Sequence, residues 1–339
     1  MLVSNSQWKS IPGTKRDGME DSMKNRNVKR GKRRREKARE MWHFLTTQEA
    51  FRRAPVLTLF RSAAWYCRCL LRIATAIDLP RWNVRMFFPS ERMGFGKFIF
   101  AFREYYEPEL AYLEKILSAG KLFVDVGANF GVYTLVASKL VGETGRVLAL
   151  EPAAQSFAIL KQNIELNHFS NVRAFNVALA QTKSKAWLYH GRDPVGNSLG
   201  KDPLRGNEGE EVQTETLDKL LEENGIDRVD AIKIDVEGAE ELVLRGAIRC
   251  LTTQSPIVIF EFNPDCAARL GLSSCGARDL LESLGYEFVL LDDCARSNNP
   301  ESRPTYFNIV AIPKQSAGEF SRSFHSFRTQ PRVLRSYEL

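Results

Sequence analysis

The sequence predicts an α/β fold built on a mostly parallel sheet with helices on both of its faces. From residue 121 onward, short and continuous apolar runs alternate with stretches of helical length and helical periodicity. Such runs are typical of strands that are covered on both faces, and strand–helix alternation favours parallel pairing. The 339 residues are enough for one large domain with extensions.

The elements of this sheet follow one another regularly. Strands are predicted at 121–126, 146–150, 172–177, 230–235, 256–262, 286–291 and 305–312, and helices at 131–141, 154–167, 237–249 and 276–284. A long stretch with no helical pattern precedes the last strand, so we expect that strand to run antiparallel. An insertion at about 183–220 interrupts the alternation.

The chain begins with a basic arm, predicted over residues 1–54. Residues 1–39 hold 13 Lys and Arg against 4 Asp and Glu, a net charge of +9, whereas the other 300 residues carry a net charge of −2. A segment with many like charges and few apolar residues buries too little surface to order itself. The arm is therefore expected to be disordered, with contact to nucleic acid or anionic lipid as the alternative.

Residues 55–105 are predicted to form a helix at 55–79 and short strands at 83–88 and 96–102. In the helix, apolar residues recur every three or four positions at 59, 63, 66, 70, 73 and 77, and arginines occupy the other side. Two alternatives stay open, a surface helix packed on the protein and a helix lying in a membrane interface. No signal-peptide pattern follows the basic arm, so a cytoplasmic protein is expected, with peripheral membrane contact as an open alternative.

The six cysteines include no Cys-x-x-Cys pair, and the chain has four histidines. This composition favours free thiols over a zinc site or a disulfide framework. A helix is also predicted at 107–120, a globular α/β domain at 106–313 and a flexible tail at 314–339.

The stretch FVDVGANFGVYTLVASKL at 123–140 reads as a buried strand, a glycine turn and a helix. Gly127 and Gly131 are four residues apart with no glycine between them, so the dinucleotide fingerprint G-x-G-x-x-G is missing. Phe130 would obstruct a pyrophosphate, which disfavours an NAD-dependent dehydrogenase. Asp125 would repel phosphate, but it could accept hydrogen bonds from a cationic amino group.

A second acid stands at the end of the next predicted strand. Glu151, in GRVLALEP, lies 24 residues after Gly127 and could accept two hydrogen bonds from a ribose diol. An acid near an amino group and an acid near a ribose together suit S-adenosylmethionine.

Five motifs carry a resemblance to a known family: FVDVGANFGVYTLVASKL, GRVLALEP, LKQNIELN, IKIDVEGAEELVLRGA and PIVIFEFN. Together they resemble the FkbM family of S-adenosylmethionine-dependent methyltransferases over about 200 residues, and IKIDVEGAE is the most specific of them. The resemblance implies a class I methyltransferase fold, which is Rossmann-like with seven strands and an antiparallel last strand. It also implies O-methylation of a hydroxyl on a glycan or natural product.

The resemblance also implies roles for individual residues. Asp125, Gly127, Asn129 and Gly131 would surround the methionine end of the cofactor, Glu151 would hold the ribose, Asn176 and Ala178 would lie near the adenine, and Glu107 would close the site. These assignments are expectations about this chain.

Two acids follow the predicted strand at 230–235. Asp235 and Glu237 would face the departing methyl group, because ligands of open α/β sheets bind outside the carboxyl ends of the strands. One of them could take the acceptor's proton, or the pair could bind a divalent cation, which the sequence allows but does not require. Glu261, Asn197 and Ser198 are candidate acceptor contacts, and His190 is a spare candidate base.

The sequence thus favours an O-methyltransferase acting on a small molecule or glycan. The alternatives are an RNA methyltransferase whose basic arm binds phosphates and a scaffold that retains a vestigial cofactor site. The strand at 230–235 ends in Asp-Val-Glu-Gly rather than the N-P-P-[FY] signature of amino-group methyltransferases, which disfavours methylation of nucleic-acid bases.

Overall fold

The computed structural model describes residues 39, 42–46, 48–89, 96–103, 110–191, 196–201, 207–290 and 307–315. Its strands are β1 (Thr75–Leu79), β2 (Val84–Phe88), β3 (Leu122–Val126), β4 (Arg146–Leu150), β5 (Val172–Phe175), β6 (Ala178–Leu179), β7 (Ser184–Tyr189), β8 (Gly209–Glu215), β9 (Ala231–Ile234), β10 (Ile257–Phe262), β11 (Tyr286–Leu290) and β12 (Phe307–Pro313). Its helices are α1 (Glu49–Arg53), α2 (Pro55–Leu70), α3 (Gly96–Phe102), α4 (Leu110–Ile116), α5 (Val132–Val141), α6 (Ala154–Leu166), α7 (Leu217–Glu223), α8 (Glu240–Arg245), α9 (Ile248–Thr253), α10 (Pro264–Arg269) and α11 (Gly276–Ser283).

The central sheet has seven strands in the order β11-β12-β10-β9-β3-β4-β5. Strand β12 pairs antiparallel with β10 and β11, whereas the pairs β10–β9, β9–β3, β3–β4 and β4–β5 are parallel. The predicted fold class and the antiparallel last strand are therefore confirmed. The chain proceeds outward from β3 in one direction and from β9 in the other, so a topological switch point lies between these two strands.

Both faces of the sheet are covered, as the apolar strands predict. Phe123 and Ile259 point to one face, where they pack with α5 and the N-terminal hairpin. Val124 and Val258 point to the other face, where they pack with α7, α8 and α9. The alternation follows from the two-residue period of a strand and leaves the carboxyl ends of β3, β4 and β9 open for a site.

The insertion builds a smaller sheet in the order β6-β8-β7. The predicted strand at 172–177 ends at Phe175, and residues 178–179 join this second sheet. An isolated bridge between Tyr189 and Ser198 continues β7 toward the main sheet's carboxyl end. Helices α7 and α10 were not predicted, and the helix predicted at 237–249 is two helices that meet at Gly246, where a Cβ would overlap the carbonyl of Ala180.

Two predictions in the N-terminal part are wrong. The helix predicted at 55–79 ends at Leu70, because Arg72 adopts a left-handed φ of 55° and residues 75–79 form β1, which pairs with β2. The strand predicted at 96–102 is helix α3, whose Gly96 lies against Trp65 of α2. Its aromatic-rich sequence suits either element, and packing decides between them.

Helix α2 also packs through an unexpected face. Thr58, Trp65 and Cys69 are buried, while the apolar stripe with Leu59 and Leu70 is exposed. Among the described residues no helix has the length and hydropathy needed to cross a bilayer. The domain boundaries and the disordered arm and tail remain predictions.

Candidate functional site

A cleft of about 660 Å³, counting the space open to solvent, lies at the carboxyl ends of β3, β4 and β9. Of the predicted site residues, its wall contains Gly127, Asn129, Glu151, Ala178, Asn197, Asp235 and Glu237. Asp125, Gly131, Asn176, Ser198 and Glu261 lie outside the wall. The remaining candidate, Glu107, falls outside the described residues.

The glycine turn joins the two halves of the site. The backbone N–H groups of Gly127 and Ala128 both donate to the carbonyl of Leu150, each at 2.9 Å. Gly127 has a φ of +77°, and a Cβ at this position would overlap the main-chain oxygen of Asp235. Only glycine therefore lets the end of β3 approach the loop after β9 so closely.

Glu151 is the best-placed acid for a ligand with hydroxyl groups. It is buried, and its carboxylate accepts the backbone N–H groups of Asn129 and Ala153, each at 2.8 Å. Burial raises the pKa of Glu151 to about 7 despite these two hydrogen bonds, and the Asp125 and Glu210 carboxylates raise it further. Each carboxylate oxygen retains a second lone pair for a ligand donor.

Asp125 is hydrogen-bonded to a residue of α5. Its side chain is buried, and Oδ2 accepts the Thr134 hydroxyl of α5 at 2.5 Å. Burial raises the pKa of Asp125 to about 6, while the Thr134 hydroxyl and the Lys233 ammonium lower it. We therefore expect Asp125 to fix the start of α5 beneath the turn instead of contacting an amino group directly.

Gly131 and Asn176 shape the backbone around the cleft. Gly131 precedes α5 with a φ of +96°, and a Cβ there would meet Leu160 Cδ1 at 2.6 Å. Asn176 donates through Nδ2 to the carbonyls of Glu151 and Pro152, both at 2.8 Å. The two residues thus hold the turn and the strand end in place, while Ala178 supplies part of the apolar wall.

Asp235 forms an ion pair with a buried lysine, which was not predicted from the sequence. Lys233 of β9 is 1% exposed, and its Nζ donates to Asp235 Oδ2 at 3.0 Å while lying 4.9 Å from the centroid of the Tyr133 ring. The ammonium fixes one carboxylate oxygen and leaves Oδ1 as the atom that can turn toward an acceptor. A lysine within a buried apolar strand needs an acidic partner. The lysine in the sequence IKID could therefore have indicated this ion pair.

The loop after Asp235 is tightly shaped. Glu237 has a left-handed φ of 54°, and Gly238 has a φ of 102° with no space for a Cβ beside Cys266. The buried Glu240 accepts the N–H groups of Val236 and Gly238 at 3.1 and 3.2 Å. Glu240 is thus a second residue that sequence reasoning missed, and it presents Asp235 and Glu237 to the cleft.

The insertion braces this loop from the other side. Ser198 is buried, and its Oγ donates to the carbonyl of Glu237 at 2.8 Å and accepts the N–H of Gly200 at 3.0 Å. Asn197 lines the cleft, where its Oδ1 accepts the N–H of Gly191 at 2.9 Å. Ser198 therefore stabilises the loop, and its contact with an acceptor stays a prediction.

Two further candidates lie outside the cleft wall. Glu261, at the end of β10, accepts Asn263 Nδ2 at 3.3 Å, and burial together with the Asp235, Glu237 and Glu240 carboxylates raises its pKa. The imidazole Nε2 of His190 lies 3.2 Å from Glu210 Oε1, and His190 is not part of the cleft wall. Among the described residues no group of three or more His, Cys, Asp or Glu is arranged to hold a metal ion.

The comparison with protein families decides the assignment of this site. Residues 125–288, which run from the end of β3 through β4, β9 and β10 into β11, match the family model of the Methyltransferase FkbM domain. This stretch of the chain is therefore similar to FkbM methyltransferases. The order of the seven strands, with β12 antiparallel, agrees with the class I methyltransferase fold expected from the FkbM resemblance.

Relatives of this stretch are found among curated proteins. Methyltransferase 1 of Beauveria bassiana is 30% identical over 142 residues, which cover 36% of this chain and 57% of that protein. Methyltransferase sdnD of Sordaria araneosa is 29% identical over 160 residues, 38% of this chain and 61% of that protein. The chain thus spans less than two thirds of the length of either relative.

The solved structure of a methyltransferase FkbM from Methylobacillus flagellatus KT has a TM-score of 0.38 and 13% identity, covering 74% of this chain and 59% of that one. At this TM-score the likeness adds no weight to the assignment, which depends on the family match and on the topology.

Proposed function

We propose that the protein is an S-adenosylmethionine-dependent O-methyltransferase whose acceptor is a neutral hydroxyl of a glycan or natural product. The observation that carries the proposal is the charge of the cleft. Its described wall contains the carboxylates of Glu151, Asp235 and Glu237 and no lysine or arginine. Such a wall suits a cationic sulfonium group and disfavours an acceptor that carries a phosphate or carboxylate beside these acids.

The residues present fit S-adenosylmethionine. Glu151 offers carboxylate lone pairs to ribose hydroxyls, and Gly127 and Asn129 line the cleft beside it. Ala178, Leu179 and Val177 give an apolar wall for the adenine ring. When bound, this cofactor supplies an activated methyl group, and the protein mainly has to position the acceptor in line with it.

Asp235 is the residue we assign to proton removal. Lys233 fixes its Oδ2, so the carboxylate presents Oδ1 in a defined direction. A hydroxyl becomes nucleophilic as it loses its proton, which a carboxylate within hydrogen-bond reach can accept. Glu237 lies in the same cleft wall and binds the acceptor. Glu261 lies outside the wall, and its raised pKa lets it keep a proton and act as a hydrogen-bond donor.

Transfer of a labelled methyl group tests this function. The full chain is incubated with labelled S-adenosylmethionine and three acceptor pools, namely glycans, hydroxylated small molecules and total RNA. We expect label in a glycan or small-molecule pool as methyl ethers, which survive mild alkali. Label confined to RNA, or lost in alkali as methyl esters, would contradict the proposal.

A further inference from the structure

Helix α2 turns an apolar face toward solvent. Val56, Phe60 and Leu70 are 80%, 69% and 64% exposed. At 100° per residue these positions fall within about 80° of one another, so they form one stripe, which Leu59 and Ala63 extend. Leu71, just after the helix, is also exposed. We call this set the α2 stripe.

The α2 stripe is not the packing face of the helix. The opposite side binds the protein, through buried Trp65 and Cys69 and through Thr58, whose Oγ1 donates to the carbonyls of Ala50 and Ala54 at 3.1 and 2.9 Å. A helix that buries a threonine and exposes phenylalanine and leucine reverses the usual arrangement of a surface helix. An exposed apolar stripe of this kind is typical of an interaction surface.

The positive charges near the α2 stripe indicate which kind of partner it binds. Residues 50–77 contain five arginines and no aspartate or glutamate. Arg52 and Arg53 are exposed just before the helix and Arg72 is exposed just after it, whereas Arg68 is half-buried toward the packing side. Arg68 is held there by its hydrogen bond to Thr75 Oγ1 at 3.1 Å.

A second copy of this face would bring the same positive charges together, which opposes a dimer through it. The ends of this chain are also basic: residues 1–39 carry a net charge of +9, and residues 316–339 have four arginines against two glutamates. A negatively charged surface with an apolar layer beneath it could pair with the arginines and also bury the apolar side chains of the stripe.

We propose that the α2 stripe docks on an anionic lipid bilayer, with the helix lying in the plane of the interface. The apolar side chains enter the boundary between headgroups and acyl chains, and the flanking arginines contact anionic headgroups. The basic residues before the helix add electrostatic attraction over the same surface. The contact is peripheral and does not depend on the methyl-transfer reaction.

Co-sedimentation of the full chain with vesicles tests the proposal. One set contains phosphatidylcholine alone, and the other includes about a third phosphatidylserine. We expect binding to the anionic set at about 50 mM salt and weaker binding at about 500 mM salt. The double variant Phe60→Ser/Leu70→Ser should lower the partition coefficient about tenfold or more, because two exposed apolar anchors are lost.

Ile248→Ser is the matched control. Ile248 is 38% exposed on α9, which packs on the other face of the sheet, so this variant should bind vesicles like the wild type. Three results would overturn the proposal: no binding to anionic vesicles at low salt, unchanged binding by the double variant, or a dimer, seen by light scattering, that the double variant abolishes.

Discussion

Replacing Asp235 with asparagine is expected to lower methyl-transfer turnover by about 10²- to 10⁴-fold, the range that general-base catalysis typically contributes. Cofactor affinity should stay close to the wild-type value, because asparagine has the same shape and Glu151 is untouched. The comparison requires single-turnover rates and the dissociation constant of S-adenosylhomocysteine for both proteins.

Asparagine is the right replacement because of Lys233. Its ammonium is 1% exposed and donates to Asp235 Oδ2, so alanine would leave a buried charge without this acceptor. The amide oxygen of asparagine can still accept that hydrogen bond, and thermal unfolding should show whether the fold is kept.

Glu237→Gln provides the comparison within the same wall. If Asp235 is the base, Glu237→Gln should weaken acceptor binding more than it slows the chemical step. Near-normal turnover in Asp235→Asn would remove the assigned role and direct attention to Glu237 or His190. Activity that disappears with a chelator and returns with Mg²⁺ would indicate metal assistance instead.

Gly127→Ala is expected to lower the free energy of unfolding by about 3 kcal/mol or more and to abolish cofactor binding. Two penalties combine in this variant. The residue has a φ of +77°, and its new Cβ would overlap the main-chain oxygen of Asp235. Relief of the overlap separates β3 from the loop after β9, so the two halves of the cleft lose their alignment. Chemical denaturation and calorimetry measure the two effects.

Gly225→Ala separates these penalties. Gly225 has a φ of +63°, but a Cβ there would meet no atom within 4 Å. This variant should therefore show only the backbone term, about 1–2 kcal/mol, with cofactor affinity unchanged. Equal destabilisation in the two variants would mean that the close approach to Asp235 is unimportant.

Local sequence patterns predicted the sheet and the acidic residues that follow the carboxyl ends of its strands. Gly127, Glu151 and Asp235 each follow a short buried strand, and parallel strands bring their carboxyl ends to one edge. Their presence around one cleft was therefore predictable from strand order alone. The stretch without a helical pattern before the last strand and the family resemblance both predicted its antiparallel direction, which the pairing of β12 confirms.

Other features depend on contacts between distant parts of the chain. Thr134 donates a hydrogen bond to Asp125, nine positions away in the chain. Ser198 donates one to the carbonyl of Glu237, 39 positions away. No pattern reveals which side chain will satisfy a buried oxygen. In the same way, α3 follows from packing against Trp65, and the outward stripe of α2 contradicts the inward face that its periodicity allowed.

The central claim is that the acidic cleft binds S-adenosylmethionine through Glu151, and calorimetry with S-adenosylhomocysteine tests it most directly. Affinity should rise by up to about tenfold from pH 6 to pH 8, because the pKa of Glu151 is about 7 and its ionised form is the stronger acceptor for ribose hydroxyls. Glu151→Gln should bind more weakly and lose this pH dependence, and NAD should give no heat. Tight binding of NAD without any response to S-adenosylhomocysteine would contradict the account.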